Sequence, residues 1–419
     1  MKSSKDYTLE LCKSANIASS QIAITDSQIK NNVLTEVINL FNSNRENILL
    51  QNNLDLTNAK NNNLDLAKID RLTIDNDKIN SIIKTLEEII KLDDPVGKIL
   101  YQTKRDNGLN LTRISTPIGL FLAIYEARPN VTSDISALSL KSGNAVILRS
   151  SKDCYFSSKI IAELFQNALI KFNLNPNIIS FVEDSSYETL KDLLKMNKFI
   201  DVVIPRGGKK LINFVIENSN IAMFNHLDGN CHTYINQHAD LLKANKILFN
   251  AKMRRTSICG ATETVLIDRK IASQIIPIIV DDLTKANCEI RGDQESQIID
   301  SRIKLAIEDD YYTEFLDKIL ALKIVDNCDE AIAHIAKYGS SHTESIITED
   351  KITAQKFFKM VNSAIVMHNA STQFADGYEF GMGGEVGIAT GKLHARGPIG
   401  LEQLTTFKYL VTANCAIRS

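Results

Sequence analysis

Apolar residues along this 419-residue chain recur with two different periods, and the change of period divides it. Before Asp94-Pro95 the spacing is helical: Ile79, Ile82, Ile83, Leu86, Ile89 and Ile90 share one helix face. The Asn-rich stretch 52–63 has the look of low complexity. Its leucines, Leu54 and Leu56 followed by Leu64 and Leu66, predict a helix–turn–helix instead. Beyond Pro95, the runs 98–105 and 109–114 flank Asp106-Asn107-Gly108. Asn-Gly tolerates the positive φ of a type I′ turn, so a β-hairpin is predicted here, a candidate oligomer contact.

The period then alternates. Apolar strand-like runs at 118–125, 145–148, 178–182 and 199–204 are separated by helical stretches at 131–142, 154–171, 187–197 and 209–219. A second alternating region starts near Gly229. It has strands at 232–235, 262–267, 319–325, 344–347 and 364–367, and helices at 239–252, 271–286 and 329–338. Repeated β-α-β order predicts parallel sheets covered by helices on both faces. The tail from Asn369 is Gly-rich and ends in a strand-like segment, 405–412. The expected fold is α/β, with two doubly wound domains and a small split β piece. The first domain takes 1–104 and 118–228, the second 229–368, and the split piece 105–117 with 369–419.

Composition narrows the function. Apolar residues are 44% and charged residues 23%, as in an ordinary globular protein. Lys+Arg 48 against Asp+Glu 50 leaves −2, which argues against a strongly basic nucleic-acid binder and a highly charged disordered chain, though a local basic pocket stays open. The longest apolar runs, 118–125 and 275–280, are far short of a membrane span. Residues 1–6 lead into polar sequence without the apolar core of a leader, so a cytoplasmic protein is expected. The seven cysteines (Cys12, Cys154, Cys231, Cys259, Cys288, Cys328, Cys415) are odd in number and form no CxxC, and the His residues are dispersed. Neither a metal site nor a disulfide framework is indicated.

Familiar phosphate motifs are near misses: Gly381 to Gly387 has one residue too many for GxGxxG, and Gly391-Lys392 lacks the rest of a P-loop. Pro205-Arg206-Gly207-Gly208-Lys209-Lys210 follows a strand and opens a helix, where backbone N–H groups favour anions; the plain alternative is a tight turn that needs glycine. Ser150-Ser151-Lys152, after the strand ending at Arg149, makes a second basic strand end on the same carboxyl edge, where open α/β sheets bind ligands. Arg254-Arg255-Thr256-Ser257-Ile258-Cys259-Gly260 puts a thiol between a helix and a strand, beside two cations that raise the thiolate fraction. A buried structural cysteine is the plain reading; the loop-like setting points to a nucleophile. Cys231-His232 mimics a dyad, but neighbours on a strand face opposite ways. The segments 126–130 and 393–398, carrying Arg128 and Arg396, read alone as turns with solvated arginines.

Together, six segments in order resemble the γ-glutamyl phosphate reductase family, within the aldehyde dehydrogenase superfamily: 125–132 (YEARPNVT), 141–149 (KSGNAVILR), 204–208 (IPRGG), 226–232 (HLDGNCH), 257–264 (SICGATET) and 392–398 (KLHARGP). The resemblance spans nearly the whole chain and is weakest before Asp94. It implies a cofactor domain, a catalytic domain and an oligomerisation element, as a homodimer or homotetramer. It implies NADPH-dependent reduction of L-glutamyl 5-phosphate to L-glutamate 5-semialdehyde in proline biosynthesis, with transient contact to glutamate 5-kinase an open possibility. Cys259 lies at the family's nucleophile and Asn130 is the candidate side-chain oxyanion donor. Arg149, Ser150, Lys152, Gly207 and Gly208 fall at the cofactor, with Lys152 in place of a carboxylate that would repel a ribose 2′-phosphate. Glu314 aligns with a glutamate that holds the nicotinamide ribose, and charge logic nominates Arg128 and Arg396 as substrate clamps.

Two departures from the family pattern stand out. Thr256 and Gly260 replace Pro and Asn, and the glycine is expected to loosen the nucleophile loop. The stretch 225–228 lacks the glutamate that activates water in hydrolytic relatives, although Asp228 or His226 offers a base. A hydrolytic aldehyde dehydrogenase is the competing enzyme, and a scaffold that has lost chemistry is the competing class.

Overall fold

Strands β1 (Ile99–Lys104) and β2 (Asn110–Pro117) pair antiparallel in this computed structural model, which describes residues 3–418 apart from 225–227, and only the backbone of Leu66 and Ala67. Their turn differs from the expected type I′. Gly108 alone among the turn residues takes a positive φ, +85°. Its N–H donates to Arg105 O at 3.0 Å, and the Arg105 N–H donates to Leu109 O at 2.8 Å. That is a type I turn closed by a glycine bulge, the three-residue solution to the same problem.

Five parallel strands follow: β3 (Leu120–Tyr125), β4 (Ala145–Ser150), β5 (Ile179–Phe181), β6 (Val202–Arg206) and β7 (Ala222–Met223), in the order β5-β4-β3-β6-β7. Every residue of β3 and β4 is buried, as expected for a sheet covered on both faces. Leu120, Leu122, Ile124, Ala145 and Ile147 pack with Leu193, Leu211 and Val215, and with Cys12 and Ala15 of the helix Ser4–Ile22. Strand order reverses between β3 and β6, so a ligand crevice belongs outside their carboxyl ends.

The Asn-rich stretch is the helix Arg45–Asn61, followed by a turn and the helix Leu66–Leu72. Two of its polar residues, Asn52 and Asp55, are inside because they have partners. Asn52 donates to Leu72 O at 2.8 Å, and Asp55 accepts from the Ser157 and Phe156 N–H groups at 2.8 and 3.1 Å. Asp55 thus caps the helix Tyr155–Lys171.

A second sheet, also parallel, comprises β8 (Cys231–Ile235), β9 (Thr262–Asp268), β10 (Glu289–Gly292), β11 (Lys304–Leu305), β12 (Ile319–Val325), β13 (Thr343–Ile347) and β14 (Ile365–His368). Its order is β11-β10-β12-β9-β8-β13-β14. Val265 and Ile267 pack under the helices Leu241–Met253 and Arg269–Lys285, while Leu266 between them faces Ala331, Ile335 and Phe357 on the other side. This is the two-residue alternation of a strand buried on both faces. The sequence pattern missed β10, β11 and the helix Lys351–Met360, and extended the helix that ends at Leu193.

The tail forms β15 (Ile388–Ala389) with β16 (Gly397–Pro398), and β17 (Thr405–Thr412), which pairs antiparallel with β2. The chain divides into two compact units: Met1–Asn225 with Gly381–Gly387 and Ile399–Ser419, and His226–Phe380 with Ile388–Pro398. The tail therefore belongs partly to each unit. Among the described residues no helix is long and apolar enough to cross a membrane.

Candidate active site

In the second unit, the loops that open three adjacent strands, β12, β9 and β8, carry Glu314, Cys259 and Gly229 in turn. Cys259 is partly exposed, whereas Cys12, Cys154, Cys231, Cys288 and Cys328 are buried. The site lies at the amino-terminal edge of this sheet, opposite the edge that open α/β sheets use for ligands. It is built by close packing. A Cβ on Gly229 would stand 2.2 Å from Cys259 O and 2.5 Å from its Cα, so only glycine fits there. The Gly229 N–H donates to Glu314 Oε1 at 2.9 Å. On another side the Cys231 Sγ–H donates to Cys259 O at 3.1 Å; burial pushes that thiol well above its ordinary pKa, so it stays protonated. His232 turns away to Glu344 Oε2 at 3.1 Å, which rules out a Cys231–His232 dyad.

The base of the Cys259 loop is clamped. Lys252, at the end of its helix, meets Glu263, in β9, at 2.5 Å, and both side chains are fully buried. Burial pushes the Glu263 carboxyl up to about 7 against the pull of Lys252. Its other oxygen accepts the Leu316 N–H at 3.2 Å, tying in the Glu314 segment. From the tail, Gln373 Nε2 donates to Ala251 O at 2.8 Å and to Arg255 O at 3.3 Å. A Cβ on Gly260 would approach Thr372 O to 3.2 Å. The expected loosening is therefore reversed: Gly260 lets the loop pack tightly against the tail. Asp228 is partly buried; His226, the other candidate base, lies outside the described residues.

In the first unit, the carboxyl ends of β3, β4 and β6 bring together 126–130, 149–152 and 206–208. Ala127 holds a φ of +43°, a strained conformation for a residue with a Cβ, between Glu126 and Arg128. Asn130 opens a helix and donates to Asp134 Oδ2 at 3.1 Å; burial pushes that carboxyl up to about 6. Arg149 is buried; its Nη2 donates to Ser185 O at 2.5 Å and its guanidinium lies 5.8 Å from the Tyr187 ring centre. Arg149 Nε and Ser150 Oγ are buried without a hydrogen-bond partner among the described residues, and Lys152 beside them is exposed.

The Gly208 N–H donates to Glu126 Oε2 at 3.1 Å, and a Cβ on Gly207 would stand 2.6 Å from that oxygen. A carboxylate already sits at this helix start. Arg396, in the second unit, donates through Nε to Thr390 O and through Nη1 and Nη2 to Asn362 Oδ1 and O, at 3.2, 2.9 and 2.6 Å. Its guanidinium staples the tail. The sequence also carried one unused signal, Glu263, a carboxylate between two threonines at the start of a strand that is otherwise apolar until its last residue, Asp268.

Two parallel α/β sheets, a cysteine loop held by glycine packing and an antiparallel hairpin with a C-terminal strand describe an aldehyde dehydrogenase architecture, and residues 2–299 match the model of the aldehyde dehydrogenase family. The chain belongs to that family, and within it to the γ-glutamyl phosphate reductases. It is 46% identical over 410 residues to the γ-glutamyl phosphate reductase of Parvibaculum lavamentivorans, covering 98% of this chain and 97% of that one. The enzyme of the same name from Brucella suis is 45% identical over the same coverage. The crystal structure of γ-glutamyl phosphate reductase from Thermotoga maritima superimposes with a TM-score of 0.96 at 38% identity, over 98% of this chain and 100% of that one.

Proposed function

We propose that this chain reduces L-glutamyl 5-phosphate to L-glutamate 5-semialdehyde with NADPH, releasing phosphate, as a step of proline biosynthesis. The observation that carries the reading is Cys259, partly exposed on a loop fixed by Gly229, Cys231 and Gln373. The Cys259 thiolate attacks the acyl carbon and forms a C–S bond; the C–O bond to phosphate breaks and phosphate leaves with the electron pair. The Cys259 backbone N–H donates to the oxyanion, such a donor contributing a factor of roughly 10²–10³ in rate, and Asn130 is the side-chain donor that the family resemblance nominates. NADPH, when bound, supplies a hydride to the same carbon. The C–S bond then breaks, the aldehyde departs and the thiolate is restored.

The first unit is the cofactor unit in this reading. The unsatisfied Arg149 Nε and Ser150 Oγ with exposed Lys152 fit a ribose carrying a 2′-phosphate, which an ammonium attracts and a carboxylate repels. Gly207 and Gly208 shape the neighbouring turn at the cofactor, where the Gly208 N–H bonds Glu126. Glu314 takes the nicotinamide ribose, and Arg128 offers charge to the substrate's carboxylate or phosphate. The sheet β1-β2-β17 exposes Tyr101, Phe407, Tyr409 and Val411, at 51, 47, 54 and 52% of their surfaces, which suits assembly of copies into a homodimer or homotetramer.

The test runs the reaction backwards. Glutamate semialdehyde with NADP⁺ gives sustained NADPH formation only when phosphate is added. Sustained turnover without phosphate overturns the reading in favour of a hydrolytic aldehyde dehydrogenase.

A further inference from the structure

The residue that takes the cofactor ribose in the reading above also holds the peptide packed against the nucleophile, before any ligand arrives. Glu314 Oε1 holds the Gly229 N–H at 2.9 Å. Gly229 has no side chain to keep it away from Cys259, and its backbone lies directly against the Cys259 Cα, Cβ and carbonyl. The Glu314 segment is itself set by the buried Lys252–Glu263 pair, through the bond from the Leu316 N–H to Glu263. Leu316 adopts a φ of +53°, and Phe315 lies between the Arg291 and Lys252 cations, 5.4 and 6.0 Å from its ring centre. Lys252 precedes the nucleophile loop and Glu263 follows it, so both ends of that loop connect to the Glu314 segment.

We infer that Glu314 is a positioning residue for Cys259: its carboxylate fixes the Gly229 peptide, and that peptide fixes the orientation of the thiol with or without cofactor. This rests on the reading of Cys259 as the nucleophile. It goes beyond a ribose contact, because a group that only binds ribose has no effect while the cofactor is absent. A ligand drawn to Glu314 then acts on the same carboxylate that orients the sulfur, which links occupancy of the ribose position to the geometry of the thiol.

The experiment is alkylation of the full-length, cofactor-free protein by iodoacetamide, followed at the Cys259 peptide by mass spectrometry, in native, E314Q and E314A forms. Gln keeps an acceptor for the Gly229 N–H and loses the charge; Ala loses both. The expected result is a rate about tenfold lower in E314A and within about twofold of native in E314Q, the scale of one hydrogen bond to a charged group. Hydrogen exchange over 228–231 and 257–261 rises in E314A and not in E314Q. An E314A rate within twofold of native, or faster, overturns the inference, as does an equal loss in E314Q. E314S carries the same comparison if E314A does not fold. The underlying reading fails separately: in that case C259A keeps its NADPH turnover whatever the alkylation rates show.

Discussion

Replacing Lys252 by Met keeps most of the side-chain volume and deletes one charge from a pair that is wholly inside the protein. Deleting one partner of such a pair costs about 3–5 kcal/mol, because the remaining ion is left in a poor solvent. Here the remaining ion is Glu263, whose carboxyl burial already pushes up to about 7 while Lys252 pulls it down. Without Lys252 its folded pKa rises further above the unfolded value. A raised folded pKa contributes stability that is complete below the unfolded pKa of about 4.3 and lost as pH rises through the folded pKa. The native protein completes that loss near pH 7, and the variant goes on losing stability above it. K252M should therefore match the native protein near pH 4 and fall increasingly behind from pH 7 to 9, with a melting midpoint about 5 °C lower at pH 8. The double variant K252M/E263L should recover most of the loss, since apolar groups often replace buried pairs at little cost. Calorimetry or circular dichroism at five pH values reads all three proteins. A K252M deficit below about 1 kcal/mol at pH 8, or one that does not change with pH, would refute the reasoning.

Two further outcomes follow from the site. Gly229→Ala drives a Cβ into the Cys259 peptide, and a shift of that size should lower kcat about 10²-fold, measured by steady-state NADPH oxidation with the midpoint of unfolding as a control. Lys152→Glu should raise the KM for NADPH about tenfold and shift preference toward NADH, read from initial rates with both cofactors; an unchanged preference removes the 2′-phosphate contact.

The alternation of apolar strands and helices foretold both parallel sheets, because residues such as 120–125 and 145–148 have to be apolar on both faces once helices cover them. The cysteine loop was legible for a related reason: a thiol between a helix and a strand, beside two arginines, is unusual locally. What the sequence hid was every support that arrives from a distance. Gln373 reaches the helix end at Ala251, and Glu314 reaches Gly229, from segments with no local pattern to announce them. The turn at Gly108 shows another limit, because Asn-Gly suits two turn geometries and the flanking registers decide between them. Charge alone likewise did not announce internal partners: Arg396 bonds Asn362 and Thr390, and the Gly208 N–H bonds the Glu126 carboxylate.

The central claim is a covalent acyl group on one sulfur. Glutamate semialdehyde and NADP⁺, mixed with the protein in phosphate-free buffer and quenched, should give a single burst of NADPH and a glutamyl adduct on the peptide containing Cys259, discharged when phosphate is added. An unmodified Cys259 peptide after a full burst, or the same adduct on another cysteine, would contradict the account.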